Sequence, residues 1–475
     1  MKKTALLILI SLLFLYSQGQ KRSVDYTTSL TGFVAYQNTL PFWAINNKHG
    51  LIPNGNGALL EIGLFSDFTD RHKIQFAYGV SAAGFLSRPD NNIILDQLYA
   101  SARWRNLRLD LGMIHPKEEY NGVSSTNGNF VRSGNSRTFP GYNLNSEYMK
   151  IPCTKGVLSI KFNWADYMMI DDRYVEDTRL HNKSAFLKIT PHQRWEIIVG
   201  LEHWAQWGGT SPDKGKQPSS FQDYIRIICA KEGGTGASVS DSINALGNHL
   251  GREHLAINYL ADNYILSFYH DIPFEDGSGT DFRSFPDGTY CFYYGSKKKD
   301  QWITDVMYEF YYTKYQSGSQ HDRPATPEEM EKQDPNSHFY GRKVLGGCDN
   351  YFNNGEYRSG WTLYERVIGS PFMTPGLSGN ITRIINNRVI AHHVGMKGMA
   401  WQTTPYKLML SYSRNYGTYG SPMKKNQLSG ALEVTLPFKN LPFTVETGIY
   451  GDLGDLFKDN FGFTIKLSRK GKLIK

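Results

Sequence analysis

Alternation of apolar and polar side chains constrains this chain more than any other feature. It recurs in segments of roughly 9–11 residues, the length a tilted strand needs to cross a bilayer with every second side chain facing lipid. Residues 460–470 are the clearest case: Phe461, Phe463, Ile465 and Leu467 alternate with Gly462, Thr464, Lys466 and Ser468. Leu107, Leu109, Leu111 and Met113 do the same against Arg108, Asp110 and Gly112, and Trp195, Ile197, Val199 and Leu201 against Glu196, Gly200 and Glu202. The connections alternate too. Residues 69–72, 191–194 and 261–263 make tight turns, whereas those after residues 36, 113 and 203 are long and polar.

Placed in order, the segments are 26–36, 58–68, 73–85, 97–104, 107–113, 144–151, 157–166, 184–190, the strand beginning at Trp195, 254–260, 264–270, 290–295, 301–312, 388–401, 406–415, 428–436, 443–450 and 460–470. One misplaced strand would exchange long and short connections everywhere after it. The parity holds from both ends and predicts an all-β fold: a transmembrane antiparallel barrel of about 18 strands with short helices in its outer loops. Both termini fall in the periplasm. Residues 313–387 form one long outer excursion, with a helix predicted over 361–368 from the spacing of Trp361, Tyr364 and Ile368.

The ends and the charge balance agree with export. Lys2 and Lys3, an apolar run over 5–16 and small or polar residues at 17–20 describe a signal peptide at 1–20, leaving 21–475 as a single barrel domain. No other segment approaches about 20 consecutive apolar residues, so helical spanning is excluded, and no cysteine near the cleavage site indicates a lipid anchor. Loss of Lys2 and Lys3 lowers 52 basic residues to 50 against 44 acidic ones, a formal +6. That mild excess suits an acidic polymer or ordinary solubility, and it excludes a nucleic-acid footprint, since the longest basic cluster is Lys297-Lys298-Lys299. Cys153, Cys229, Cys291 and Cys348 permit up to two disulfides in an oxidising compartment, and their wide spacing disfavours zinc.

Candidate functional residues lie in the loops. Arg103, Arg108, Asp110, Lys161, Glu196, Lys407, Glu433 and Lys466 face the lumen, mixed in sign, as structural pairs or as an ion path. Indole and phenol rings stack on the C–H faces of sugars, which makes Trp204 and Trp207 glycan platforms or members of an interfacial aromatic girdle. Tyr340, Tyr351, Arg358 and Trp361, interleaved with Asn350, Asn353 and Asn354, have the composition of a carbohydrate contact or of a folded plug. Phe221, Tyr224, Ile225 and Ile228 predict a short helix that packs into the barrel mouth and occludes it. His249 reads as a structural hydrogen-bonding residue. Glu275, with Asp271, Asp276, Asp281 and Asp287, reads as a Gly-rich turn; the alternatives are hydrolytic carboxylates and calcium ligands, but the spacing does not match an EF-hand. No nucleophile elbow, phosphate loop or metal-protease helix is present.

Trp204-Ala205-Gln206-Trp207-Gly208-Gly209, Gly247-Asn248-His249-Leu250-Gly251, Glu275-Asp276-Gly277-Ser278-Gly279 and Asn354-Gly355-Glu356-Tyr357-Arg358-Ser359-Gly360-Trp361, in that order and strand context, resemble the Wzi capsule-assembly family in the form found in Bacteroides-like bacteria. The resemblance runs from the first strand to the last. It implies an outer-membrane barrel of eighteen strands with an occluded lumen, a surface lectin that helps capsular or exopolysaccharide attach. The chain departs from barrel custom in ending Gly471-Lys472-Leu473-Ile474-Lys475 without a terminal aromatic, and it has little room before the first strand for a helical plug domain. The expectation is a non-enzymatic protein without cofactor or metal. Loops 204–253 and 313–387 would bind an anionic polysaccharide through Trp204, Trp207, Tyr340, Tyr351, Arg358 and Trp361, with outer-membrane lipid and capsule export components as further partners. The rival expectation is a substrate-specific porin whose loops constrict the lumen, and a third is a glycan hydrolase.

Overall fold

The computed structural model describes residues 23–69, 73–85, 93–233, 245–275, 284–319, 321–331, 333, 335, 340–438 and 440–474. The predicted signal peptide and residues 276–283 of the acidic turn lie outside them. Eighteen strands run in sequence: β1 (Val24–Ala35), β2 (Gly57–Ser66), β3 (Ile74–Phe85), β4 (Ile93–Trp104), β5 (Leu107–Met113), β6 (Gly141–Ser146, resumed at Met149–Lys150), β7 (Leu158–Met168), β8 (Arg179–His192), β9 (Trp195–Trp207), β10 (Asn248–Leu260), β11 (Tyr264–Phe274), β12 (Gly288–Ser296), β13 (Asp305–Tyr312), β14 (Val389–Ala400), β15 (Thr404–Gly417), β16 (Pro422–Leu436), β17 (Thr444–Gly454) and β18 (Asn460–Ile474). Each pairs antiparallel with the next, and both pieces of β6 pair with β7. β18 returns to β1, with Leu30 opposite Leu467, and the closed sheet has no free edge.

The alternation read from the sequence decides which face each residue takes. Outward residues such as Leu30, Ile62, Val199, Ile257, Phe292 and Ile465 stand exposed, as lipid contacts do, while Phe33, Leu59, Trp204, Tyr269 and Tyr311 turn inward and are buried. Four of the nine tryptophans, Trp104, Trp195, Trp302 and Trp401, are exposed beside short turns, the place of an interfacial girdle. No helix among the described residues is long and apolar enough to cross a membrane. We call the two ends of the barrel the turn end, where β1 starts and β18 finishes, and the loop end.

Several strands run further toward the loop end than their apolar alternation. β8 starts at Arg179, β9 ends at Trp207 and β10 starts at Asn248. Hydrogen-bonded pairing continues there although the outward side chains have become His, Lys and Asp, so the hydrophobic signal fades before the sheet does. Two helix expectations fare differently. α2 (Phe221–Ile228), capped by Ser220 and Asp223, forms where predicted, after a one-turn α1 (Phe42–Ile45) and before α3 (Pro327–Met330). The helix predicted over 361–368 is instead a tight hairpin pairing Thr362 with Val367. Its turn residues Tyr364 and Glu365 have φ of 48° and 62°, so the aromatic spacing reflects a β-turn that buries Trp361 and Ile368 together.

Candidate functional site

The barrel is filled by its own loops. Residues 114–140 descend along the lumen to the turn end, where Asn121 donates to Asp305 at 2.6 Å, and climb back. On the way Ser124 and the Ser125 N–H donate to the two oxygens of Glu309 at 2.6 and 2.7 Å, and His393 Nε2 donates to the Val123 carbonyl at 3.1 Å. The carbonyl lies so close to β14 that a Cβ on Gly395 would stand 1.9 Å from it; only glycine leaves room. Residues 36–56 enter beside this loop. Trp43 donates to Ser411, Asn47 to the Ser125 carbonyl, and Lys48 sits 2.5 Å from Glu433, which also pairs with Lys407. The returning chain ties to the long insert through Ser133 to the Gly369 carbonyl and Asn135 to the Val367 carbonyl.

Above these ties lies a packed aromatic core. Phe130, Phe139, Tyr351, Phe352, Trp361, Phe372 and Trp43 belong to one buried cluster shared between strands and loops. Trp361 Nε1 donates to the Val131 carbonyl at 2.7 Å, so its polar atom is satisfied inside the plug. Inward charges are satisfied by neighbouring strands and by the plug. Arg252 bridges Glu202 at 2.8 Å and Asp271 at 2.7 Å, Asn129 of the climbing chain adds a further contact to Glu202, and His254 reaches Asp271. The predicted lumen residues pair as a structural interior does: Arg108 with Asp110, Glu196 with Lys188, Lys466 with Glu61.

Two plug groups are electrostatically displaced. His49 stacks on His115 with centroids 3.7 Å apart and planes 7° apart; burial, reinforced by the neighbouring imidazole, lowers its pKa to about 3. Asp287 accepts from the N–H groups of Tyr315 and Gln316 and from the Tyr351 hydroxyl, yet burial still raises its pKa to about 7. It pins the start of the long insert to the plug. Glu275 likewise accepts the Phe352 N–H at 2.6 Å. Asp271, Asp287 and Glu275 thus hold structure, whereas Asp276 and Asp281 lie outside the described residues. No group of His, Cys, Asp and Glu among the described residues could hold a metal, and the four cysteines stand unpaired.

The chemistry left at the loop end is a rim of cations over aromatic rings. Arg358 lies 4.6 Å over the Tyr174 ring and pairs with Asp213 at 3.0 Å, while Lys214 pairs with Glu356 beside it. Arg137 covers Tyr364 at 4.2 Å, Arg388 covers Tyr419 at 3.9 Å and Lys314 covers Tyr416 at 4.4 Å. Tyr364 and Tyr174 are joined through the 171–174 segment, since Asp171 accepts from the Tyr364 N–H and from Arg173. Cations and half-buried phenol rings in alternation can bind carboxylated or sulfated sugars, the rings to C–H faces and the cations to the acids.

The six predicted contacts separate. Arg358 and Tyr340 are exposed, Arg358 on this rim and Tyr340 on the hairpin that pairs His321–Pro324 with Arg342–Gly346. Tyr351 and Trp361 are fully buried in the plug. Trp204 points inward against Tyr167, Trp361 and the guanidinium of Arg132, and Nε1 donates to Glu202. Trp207, three residues on, points outward under α2. Those four rings pack against protein, so the platform reading is corrected for them; alternation along β9 sends neighbouring tryptophans to opposite walls. Sequence reasoning missed Tyr174, Asp213, Arg137 and Tyr364, whose only signal is an aromatic or charged residue in a polar loop. It also missed the plugging role of 36–56 and 114–140, where Ser and Asn serve as ligands for inward carboxylates.

The fold and this interior define a closed, plugged barrel of the outer-membrane type. No protein-family model matches the chain, and no curated protein matches it by sequence. Among solved structures it is similar to Wzi of Escherichia coli, an outer-membrane protein involved in group 1 capsule assembly and described as a carbohydrate-binding β-barrel; the two are 12% identical, the match covers 94% of this chain and 84% of that one, and the TM-score is 0.54. OccK3 (OpdO) of Pseudomonas aeruginosa (11% identity, 95% and 96% coverage, TM-score 0.48) and a BenF-like porin of Pseudomonas fluorescens (10%, 96% and 99%, 0.48) also match. Likeness at this identity shows a shared fold and not membership of a family.

Proposed function

We propose that this protein is a non-enzymatic outer-membrane barrel that binds anionic capsular or exopolysaccharide at its loop end and helps the polymer attach to the cell. One observation carries the reading: loops bonded to the inward carboxylates Asp305, Glu309 and Glu202 fill the middle of the lumen, while the cation–aromatic pairs stand on the rim. The loop end faces outward and the termini face the periplasm, where export components could meet the barrel. Carbohydrate binding, the property stated for the Escherichia coli Wzi barrel, is the property proposed here. A repeating polymer would engage several rim pairs at once, so individually weak contacts would retain it.

The test is the ratio of cell-bound to shed polysaccharide in a strain lacking the protein, complemented with wild type or with Arg358→Ala/Tyr174→Ala. Shedding in the deletion that the assembled double variant fails to correct supports the reading, and unchanged retention in the deletion overturns it. Purified barrel incubated with the polymer should leave its chain length unchanged. The porin reading has its own observation, a cavity of about 690 Å³ at the turn end between β15 and β18, lined by Pro405, Thr435, Phe438, Leu441, Glu446 and Lys470 among others. Stable single-channel conductance of the wild-type barrel would favour it.

A further inference from the structure

α2 does not enter the barrel mouth. Residues 195, 197, 199, 201, 203, 205 and 207 share the outward face of β9, where Val199 and Leu201 are 39% and 45% exposed. Ile227 of α2 is fully buried against Ala205 and Trp207 of that face and against Leu246 and Tyr224. Gly247 admits it, since a Cβ there would lie 2.9 Å from Ile227 Cδ1. The helix therefore lies on the outer wall. Tyr224 donates to Asp166 of β7 at 2.7 Å, and Lys183 of β8 donates to the Ile228 carbonyl at the helix C-terminus, a favourable place for a cation.

Beneath and beside the helix, the outward positions of β6 to β10 are polar. Tyr142 and His181 both contact Asp166, and His203 bonds to His249, which bonds in turn to the Leu246 carbonyl. One step further down the same strands the wall becomes apolar, with Leu144, Ile160, Val199 and Leu201 exposed. The polar patch thus marks where the hydrocarbon band ends, and α2 covers it. Away from the wall, Phe221 is 76% exposed and Ile225 44%, one helical turn apart on one side of the helix, with Arg226 and Lys231 nearby.

We propose that α2 is an interfacial helix, seated at the headgroup boundary of the loop-end leaflet with Phe221 and Ile225 in contact with lipid. Its occupant is membrane lipid because the exposed side chains continue the lipid-facing band of the same wall, and the flanking cations suit anionic headgroups. The inference rests on the barrel fold alone and is independent of polysaccharide binding.

Full-length barrel carrying Cys153→Ser, Cys229→Ser and Cys348→Ser, with a polarity-sensitive fluorophore on Phe221→Cys or Ile225→Cys, tests it in phosphatidylcholine vesicles that contain a lipid spin-labelled near the headgroup. Tyr340→Cys on the exposed hairpin is the control. Lipid quenching at 221 and 225 should exceed that at 340 by about threefold or more, with aqueous iodide giving the reverse order. Dominant iodide quenching at 221 and 225 overturns the proposal. Protection from both quenchers also overturns it, since protein would then cover the face. Should the new cysteines impair assembly, the native Cys229, exposed at the helix C-cap, takes the fluorophore and the same two outcomes apply.

Discussion

The plug core and the loop-end rim are built from the same kinds of residue, aromatics with Arg and Asn, and differ in what the rings face. In the core Phe130 lies 5.1 Å from Phe352 and 5.7 Å from Tyr311, and Trp361 meets Trp204 edge to face at 5.9 Å. On the rim Tyr174, Tyr364, Tyr416 and Tyr419 each carry a cation instead of a second ring. A ring that packs on rings in a dry interior sets the stability and seal of the plug; a half-buried ring beside a cation can exchange that contact for a ligand. The comparison predicts that core changes alter permeability first and that rim changes alter binding alone.

The largest expected effect is that of Trp361→Ala. Removing a fully buried indole costs about 3–5 kcal/mol and leaves the Val131 carbonyl without its donor. The loops should loosen while the barrel stays closed, so planar bilayers should record unstable openings absent from wild type. A variant as silent as wild type would break the distinction between core and rim.

Acid should act on the core next. The pKa of His49 is lowered to about 3 when the loops are docked, against 6.5 when free, so the undocked state binds more protons between these values. The contribution to docking is full above pH 6.5 and is lost as pH falls toward 3; by pH 5 the loss is about 2 kcal/mol. Hydrogen exchange of residues 47–51, corrected for intrinsic rate, should accelerate over that range. His49→Phe, which keeps a ring against His115 and removes the proton site, should flatten the response. Equal acid sensitivity in the variant would assign it to another group.

The barrel was legible because its signal is periodic and repeated: each of the eighteen strands was found in order, including β18, where Phe461 to Leu467 alternate without a break. The plug was legible only in part. Ser124 and Glu309 meet across 185 residues of sequence, and a Ser-rich loop looks alike whether it reaches for a carboxylate or for water. Gly395 gives no warning that another carbonyl will occupy the space of its missing side chain. At Trp204 and Trp207 composition suggested sugar platforms, but one-residue alternation decides the face, and both faces of this wall are covered, one by the plug and one by α2. The hairpin at Thr362 to Val367 escaped because Trp361, Tyr364 and Ile368 satisfy a helical spacing by accident of a turn with positive φ.

The smallest effect sharpens the comparison most. Arg358 is exposed, and its pair with Asp213 lies in solvent, where such bridges contribute about 0–1 kcal/mol. Arg358→Ala should therefore leave bilayer silence and loop exchange as in wild type. It removes the cation over Tyr174 and the charge offered to an acidic sugar, a loss of about 0.5–1 kcal/mol per site, or roughly two- to fivefold in affinity for an isolated acidic oligosaccharide. Arg358→Lys should recover the charge but not the planar stack, and so fall between the two. Calorimetry with the oligosaccharide separates the three chains, and long polymer, which engages several rim pairs, should amplify the order. If Arg358→Ala opened the barrel instead, the rim would be part of the seal and the two regions would be one.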